Sequence, residues 1–473
     1  MTVRVRFAPS PTGELHLGGA RTALVNALFA RRERGRFVLR IEDTDQDRNV
    51  AGAEQRLEAD LRWLGIRPDE SPAAGGPFGP YRQSERLPSQ YAAFDRLKAA
   101  GRVYACFCPA GEQATTRCPA LCSELPAEEV ERRLAAGARP AWRFTLTEDD
   151  RAIDDALRGR VDFAGAPAPD PVIMRADGRP TFLFAGAIDD ADQEITHVVR
   201  GEDHLPNAWK QAQMLRACGR PVPVYAHLPL ILGADRTPLS KRHGHTSIGT
   251  VRDAGYPAEA IVMALAHLGM TPPEVAPGTD PWDALVAHFA LDRISAAASV
   301  YDQDRLEFLA AAWLRALSPA ELALRAYGRA DREALLGTQL DPGWWPESLA
   351  LFAESHATLG GAIGPATEFL QWEGGWPEAG AAPDVLASWR GRWPQDGMRG
   401  ADQFTEIGKL VGRESGTRGA ALFHPLRLAL TGSGSGPALS RLAPLFDRAA
   451  QEGGALREIV SCVTRIDRAR GVR

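Results

Sequence analysis

His16 stands two residues before a glycine pair in the run Ala8-Pro9-Ser10-Pro11-Thr12-Gly13-Glu14-Leu15-His16-Leu17-Gly18-Gly19. An imidazole N–H can donate to a phosphate oxygen, and residues without side chains let such a group approach the backbone. Far downstream lies Pro238-Leu239-Ser240-Lys241-Arg242-His243-Gly244. The chain holds only four lysines (Lys98, Lys210, Lys241 and Lys409) among 55 basic residues, so a lysine kept in this loop is suggestive. A compact, mobile ammonium suits a migrating phosphate charge better than a rigid planar fork. In this order the two segments outline a site able to grip ATP from both ends. Each also has a plainer reading: a βα turn with a buried histidine, and a solvated basic loop.

The elements that must position them can be read from the period of the apolar residues. Val3, Val5 and Phe7 alternate with Arg4 and Arg6, which predicts a short strand. Pro, Ser, Thr and Gly then form a turn. Ala23, Leu24, Ala27 and Leu28 share one face of a helix that stops at Gly35, read as its C-cap. Phe37 to Glu42 reads as a second strand. Free N–H groups and the helix dipole at Gly18 and Gly19 favour an anion. Later, Ile195 to Val199 reads as a strand ending at Arg200, about Pro206 to Ala217 as a helix, and Val224 to Leu232 as another apolar run. This second βαβ pattern sets Lys241 near a strand's C-terminal end, the edge at which doubly wound sheets bind ligands.

The run Arg6 to Gly13, through Ile41-Glu42-Asp43-Thr44-Asp45, resembles the start of the class I glutamyl-tRNA synthetases. His16-Leu17-Gly18-Gly19 is similar to their first ATP signature and Leu239 to Gly244 to the second. Val199-Arg200-Gly201-Glu202-Asp203-His204-Leu205 and His227-Leu228-Pro229-Leu230-Ile231-Leu232 are similar to two further family segments. The likeness is strong over residues 3–310 and continues weakly at 422–427 and 430–432. Relatives that charge glutamine open with a different sequence around the histidine motif, so glutamate is favoured.

The resemblance implies an α/β fold: a class I, Rossmann-like parallel nucleotide-binding sheet with an inserted acceptor-binding domain, then an all-α anticodon-binding half. The implied domains are 1–95 and 191–231 for the two halves of the catalytic domain. Residues 96–190 form the insertion, 232–310 a stem-contact region with the Lys241 loop, and 311–473 the helical domain. The implied reaction joins L-glutamate to the 3′ end of tRNA(Glu) through a glutamyl-adenylate. His16 and Lys241 stabilise charge at the α-phosphate, with Mg²⁺ accompanying ATP. Gly18, Gly19, Asp203, Leu230, Ile231 and Arg242 join them around ATP. Arg6 and Arg200 suit the two substrate carboxylates, because their planar forks bind bidentately. Glu42 and Ser10 suit the ammonium, and Phe182 lines the same pocket.

Two departures stand out. Many family members carry a tyrosine where this chain reads Phe182, and a lysine where it reads Pro238. The first removes a hydroxyl; the second removes a charge and stiffens the loop. Other readings are a paralogue that glutamylates tRNA(Gln) or another acceptor, and a tRNA-binding regulator that has lost activation. Retention of His16, Gly18 and Lys241 argues against the regulator.

A chain of 473 residues suggests three or more structural units, and 44% hydrophobic residues is ordinary for a globular protein. At a formal net charge of −5, any RNA contact must use local basic patches. No signal peptide or apolar run of spanning length is present, so a cytoplasmic enzyme without membrane contact is expected; a monomer is expected as well. Of six cysteines, Cys218 and Cys462 read as isolated packed thiols. Cys106, Cys108, Cys118 and Cys122 form a C-x-C…C-x-x-x-C pattern able to offer four thiolates to one tetrahedral zinc. The alternative is four reduced structural cysteines.

Overall fold

The computed structural model describes residues 2–45, 48–109, 122–165, 168–239, 247–327, 343–372, 382–452 and 459–471. They divide into two compact units, one of residues 1–251, 261–275 and 280–303, the other of residues 252–260, 276–279 and 304–473.

The first unit opens with strand β1 (Arg4–Phe7), helix α1 (Leu17–Arg32) and strand β2 (Arg36–Leu39). β1 and β2 pair in parallel, with Val5 opposite Phe37. The alternation in β1 does not leave a wet face: Arg4 and Arg6 are buried with their apolar neighbours. Arg4 is held by both oxygens of Glu70 at 2.7 and 3.1 Å, and Arg6 by Asp190 at 3.0 Å. These carboxylates offset the cost of burying the two cations. The close of α1 also differs from the expected glycine cap. Arg34 takes the left-handed conformation, at φ 52°. Gly35 is required for another reason, since a Cβ there would stand 2.2 Å from the Val3 carbonyl oxygen.

Helices α2 (Ala53–Trp63) and α3 (Leu87–Ala99) follow. Strands β3 (Val103–Cys106), β4 (Ala141–Phe144) and β7 (Val172–Met174) then form an antiparallel sheet in the order β3-β4-β7, with helix α4 (Ala127–Ala135) between β3 and β4 in sequence. Strand β5 (Ala152–Asp155) and β6 (Gly159–Asp162) make a hairpin. This hairpin joins, through β5, a four-stranded sheet whose other two strands are parallel. The partners are β8 (His197–Gly201) and β9 (Val224–Leu228), parallel and linked by α6 (Leu205–Ala217). Helix α5 (Phe182–Asp192) precedes β8. β10 (Ile231–Leu232) and β11 (Ser299–Val300) form a short parallel pair.

β1 lies beside the start of β8: Thr196 N–H donates to the Arg4 carbonyl at 2.9 Å, and Arg4 N–H to Thr196 Oγ1 at 2.8 Å. One βαβ unit runs outward from β1 to β2 and the other from β8 to β9. That reversal opens a crevice at the strands' carboxyl ends, the topological switch point of an open α/β sheet.

The second unit is helical. Its core gathers Trp344, Trp345, Trp389, Phe446 and many leucines. Buried Arg465 donates to the carbonyls of Phe369, Leu370 and Leu430, which helix ends leave orphaned, and to that of Val460. No helix among the described residues is long and apolar enough to cross a membrane.

Candidate active site

The switch-point crevice is a cavity of about 290 Å³. β1 and the residues after it supply Arg6, Phe7 and Ala8, and the first turn of α1 supplies Gly18, Gly19, Arg21 and Thr22. Glu42 follows β2, and Phe182 opens α5. The end of β8 and its following turn give Arg200, Gly201, Asp203 and His204; the end of β9 and its following turn give Leu228 to Ile231. Nine of the expected site residues therefore meet in one cavity: Arg6, Gly18, Gly19, Glu42, Phe182, Arg200, Asp203, Leu230 and Ile231.

Two expected residues stand outside its lining. Ser10 is exposed in the turn after β1. His16 is the exposed N-cap residue of α1, and its backbone bridges to Ser247. Lys241 and Arg242 lie outside the described residues. The residues flanking their loop are anchored beside the cavity, with Pro238 bridged to Leu232 and Ser247 to His16.

Behind the cavity wall runs a charge network. Arg40, with no exposed surface, donates to Asp190 at 2.8 Å and to Glu42 at 3.1 Å. Burial pulls the Arg40 guanidinium down, but Asp190 and Glu42 outweigh it and hold it above its ordinary value. Asp190 serves both Arg6 and Arg40, so Glu42 is the second carboxylate on one guanidinium. Burial therefore wins at Glu42 and pushes its carboxyl up, against the pull of Arg40 and Arg6. Arg200 is also buried, but among the described residues no carboxylate is in hydrogen-bond contact with it. It donates to His227 Nε2 at 3.2 Å and the His204 carbonyl at 3.3 Å, and burial lowers it to about 10. A cation so placed favours an incoming anion.

The side of the cavity formed after β8 and β9 is built from backbone and short turns. Gly201 leaves space for the exposed Asp203 side chain, whose Oδ1 a Cβ would approach to 2.4 Å and push aside. Leu230 N–H donates to Glu202 at 2.6 Å, and Glu202 also pairs with Arg158. Arg21 donates to the Pro229 carbonyl at 2.7 Å, tying α1 to the same turn.

His204 was not among the residues expected in the pocket. Its ring lies 5.3 Å from that of Phe182, tilted by 35°, and burial lowers its pKa. The signal was its place directly after Asp203.

Among the described residues, Cys106, Cys108 and Cys122 are buried with their sulfurs within 4.8 Å of one another. Cys118 lies outside the described residues. Cys108 and Cys122 sulfurs are 3.9 Å apart, too far for a disulfide, which needs about 2.05 Å. Thiolates at about 2.3 Å around one tetrahedral zinc would stand roughly 3.8 Å apart. The donor set and spacing fit that metal.

Residues 2–307 match the family of tRNA synthetases class I (E and Q), catalytic domain. The glutamate–tRNA ligase 2 of Alkalilimnicola ehrlichii is 38% identical over 469 residues, covering 94% of this chain and 95% of that one. That of Acidithiobacillus ferrooxidans is 40% identical over 475 residues, covering 94% of each. A solved glutamate tRNA ligase from Elizabethkingia meningosepticum, in complex with its amino acid, superposes with a TM-score of 0.84 at 28% identity, covering 100% of this chain and 99% of that one. The switch-point cavity, the helical second unit and likeness along nearly the whole length agree, and the chain belongs to the class I tRNA synthetases of the E and Q group.

Proposed function

We propose that the protein ligates L-glutamate to the 3′ end of tRNA(Glu) in two steps, consuming ATP. The observation that carries this reading is the charge pattern of the cavity. Arg6 and Arg200 offer two cations and Glu42 one anion, the complement of an amino acid with two carboxylates and one ammonium. Gly18 and Gly19, in the first turn of α1, leave room for phosphate at a helix N-terminus beside it.

In the first step a glutamate α-carboxylate oxygen attacks the α-phosphorus of ATP in line. A P–O bond forms to the acyl group, the α–β bridging bond breaks and pyrophosphate leaves. Arg6 and Arg200 orient the carboxylates, Glu42 and Ser10 hold the ammonium, and Phe182 closes the apolar side. Asp203 and the backbone at Leu230 and Ile231 hold the adenosine. His16, Lys241 and Arg242 meet the phosphates and stabilise charge as it moves to the leaving group. Mg²⁺ accompanying ATP would add charge neutralisation. In the second step a hydroxyl of the terminal ribose attacks the acyl carbonyl and AMP departs. The enzyme acts as a monomer. Cys106, Cys108 and Cys122, with Cys118, would hold one zinc in a structural role, because four thiolates would leave no position open for water.

Pyrophosphate exchange with glutamate and total tRNA tests the first step, and acylation of separate tRNA(Glu) and tRNA(Gln) transcripts tests the acceptor. Glutamate-dependent exchange and charging of tRNA(Glu) are expected. No exchange under either condition would leave only a tRNA-binding role. Charging of tRNA(Gln) alone would move the acceptor assignment.

A further inference from the structure

Arg200 is held in a way that its neighbour Arg6 is not. Arg6 is in direct contact with the Asp190 carboxylate. Arg200 meets a neutral ring instead, and the nearest carboxylate on that path stands one residue further back. In the sheet, Arg200 of β8 is directly opposite His227 of β9, and β5 brings Asp155 to the other side of β9. Arg200 Nε donates to His227 Nε2 at 3.2 Å, and His227 Nδ1 meets Asp155 Oδ2 at 2.6 Å. The side chains of His227 and Asp155 are fully buried.

Chemistry settles the proton positions. A guanidinium Nε can only donate, so His227 Nε2 must be the bare acceptor. Its proton therefore sits on Nδ1, facing Asp155. Burial and the nearby Arg200 keep the ring neutral, against the opposing pull of Asp155. Asp155 is itself fixed: its Oδ1 accepts from the N–H groups of Leu157 at 2.9 Å and Arg158 at 3.0 Å. Burial alone would raise its pKa, but the His227 and backbone hydrogen bonds bring it below the ordinary value.

We propose that Asp155 and His227 are positioning residues that aim Arg200 at a substrate carboxylate while leaving its charge uncompensated. This rests on the reading of Arg200 as a glutamate ligand. A carboxylate placed directly on Arg200 would orient it equally well, but would occupy its fork and cancel the charge that recruits substrate. Interposing an imidazole separates the two tasks. Asp155 sets the tautomer, the tautomer sets the acceptor, and the acceptor sets the plane of the guanidinium. Asp155 belongs to the β5–β6 hairpin, so the segment read as an insertion also shapes the amino-acid pocket.

The test uses the full-length enzyme and pyrophosphate exchange, with glutamate and ATP varied separately. Asp155→Asn keeps the shape but turns an amide N–H₂ toward Nδ1, favouring the tautomer whose Nε2–H faces the Arg200 donor. The KM for glutamate should rise at least about tenfold, since a hydrogen bond to a charged group is misdirected, while the KM for ATP stays within about twofold. His227→Gln retains a carbonyl that can accept from Arg200, and His227→Leu does not, so the glutamate KM should rise less for Gln than for Leu. If Asp155→Asn does not fold, as judged by circular dichroism, this Gln–Leu pair carries the test alone. Arg200→Met separates the two levels of inference. If it leaves the glutamate KM unchanged, the ligand role of Arg200 falls and the relay with it. If it raises that KM while folded Asp155 and His227 variants do not, or if those variants raise both KM values alike, the ligand role stands and the positioning role is refuted.

Discussion

Replacing Glu42 by Gln should separate function from stability in opposite directions. The carboxylate is buried, and its Oε1 accepts from Arg40 at 3.1 Å. A glutamine carbonyl oxygen can keep that hydrogen bond, so the change removes a charge and little else. On the functional side, the proposed site loses the partner of the substrate ammonium. A hydrogen bond to a charged group is worth about 1.5–3 kcal/mol. At about 1.4 kcal/mol per tenfold, the KM for glutamate should rise roughly 10- to 150-fold, with the KM for ATP little changed. On the stability side, burial raises the Glu42 pKa in the folded state. A raised carboxyl pKa means that the unfolded chain holds fewer protons, so ionising Glu42 costs stability. That cost is absent below the ordinary carboxyl pKa, sets in as pH rises through it, and is complete above the folded value. At neutral pH the variant should therefore melt no lower than the parent. Any advantage should shrink as pH falls toward the carboxyl range, where the parent becomes neutral there too. Pyrophosphate exchange and thermal melts at two pH values measure both sides. An unchanged glutamate KM would refute the ammonium contact. A clear fall in melting temperature at neutral pH would show that Arg40 needs both carboxylates and that burial is not the dominant effect.

Lys241→Ala should nearly abolish adenylate formation while ATP still binds, a loss of about 2.7–4 kcal/mol as for other transition-state donors; undiminished single-turnover rates would overturn its role. His16→Ala should act in the same direction with a smaller loss, and a fall in ATP affinity alone would reassign it to binding. Metal analysis of protein purified without chelator should find one zinc per chain, and absence of metal with all four thiols reactive would dismiss the site. Phe182→Tyr should lower the KM for glutamate by restoring a hydroxyl beside Arg6, Glu42 and Arg200; an unchanged or higher value would mean that the neighbouring His204 already completes the pocket.

Local pattern was enough to find the elements that carry the site. The alternation from Val3 to Phe7, the helical spacing from Ala23 to Leu28 and the apolar run at Phe37 correspond to β1, α1 and β2. The second βαβ unit was legible in the same way, as β8, α6 and β9. Backbone periodicity is a short-range property, and the sequence holds all of it. Nine residues of the cavity were named in advance, but through the resemblance of their segments to a family and not through local pattern. What lay beyond the sequence depends on which strands become neighbours. Arg4 and Arg6 alternate as a solvated strand face would, yet Glu70 and Asp190, from distant segments, bury them. Gly35 reads as a helix cap, but the approach of Val3 is what requires it. The hairpin carrying Asp155 falls in a stretch that resembles an insertion, and only its pairing with β9 puts that carboxylate behind His227 and Arg200. A buried charge is tolerable only beside its partner, and partners 72 or 184 residues apart in the chain are brought together by the fold, not by any local spacing.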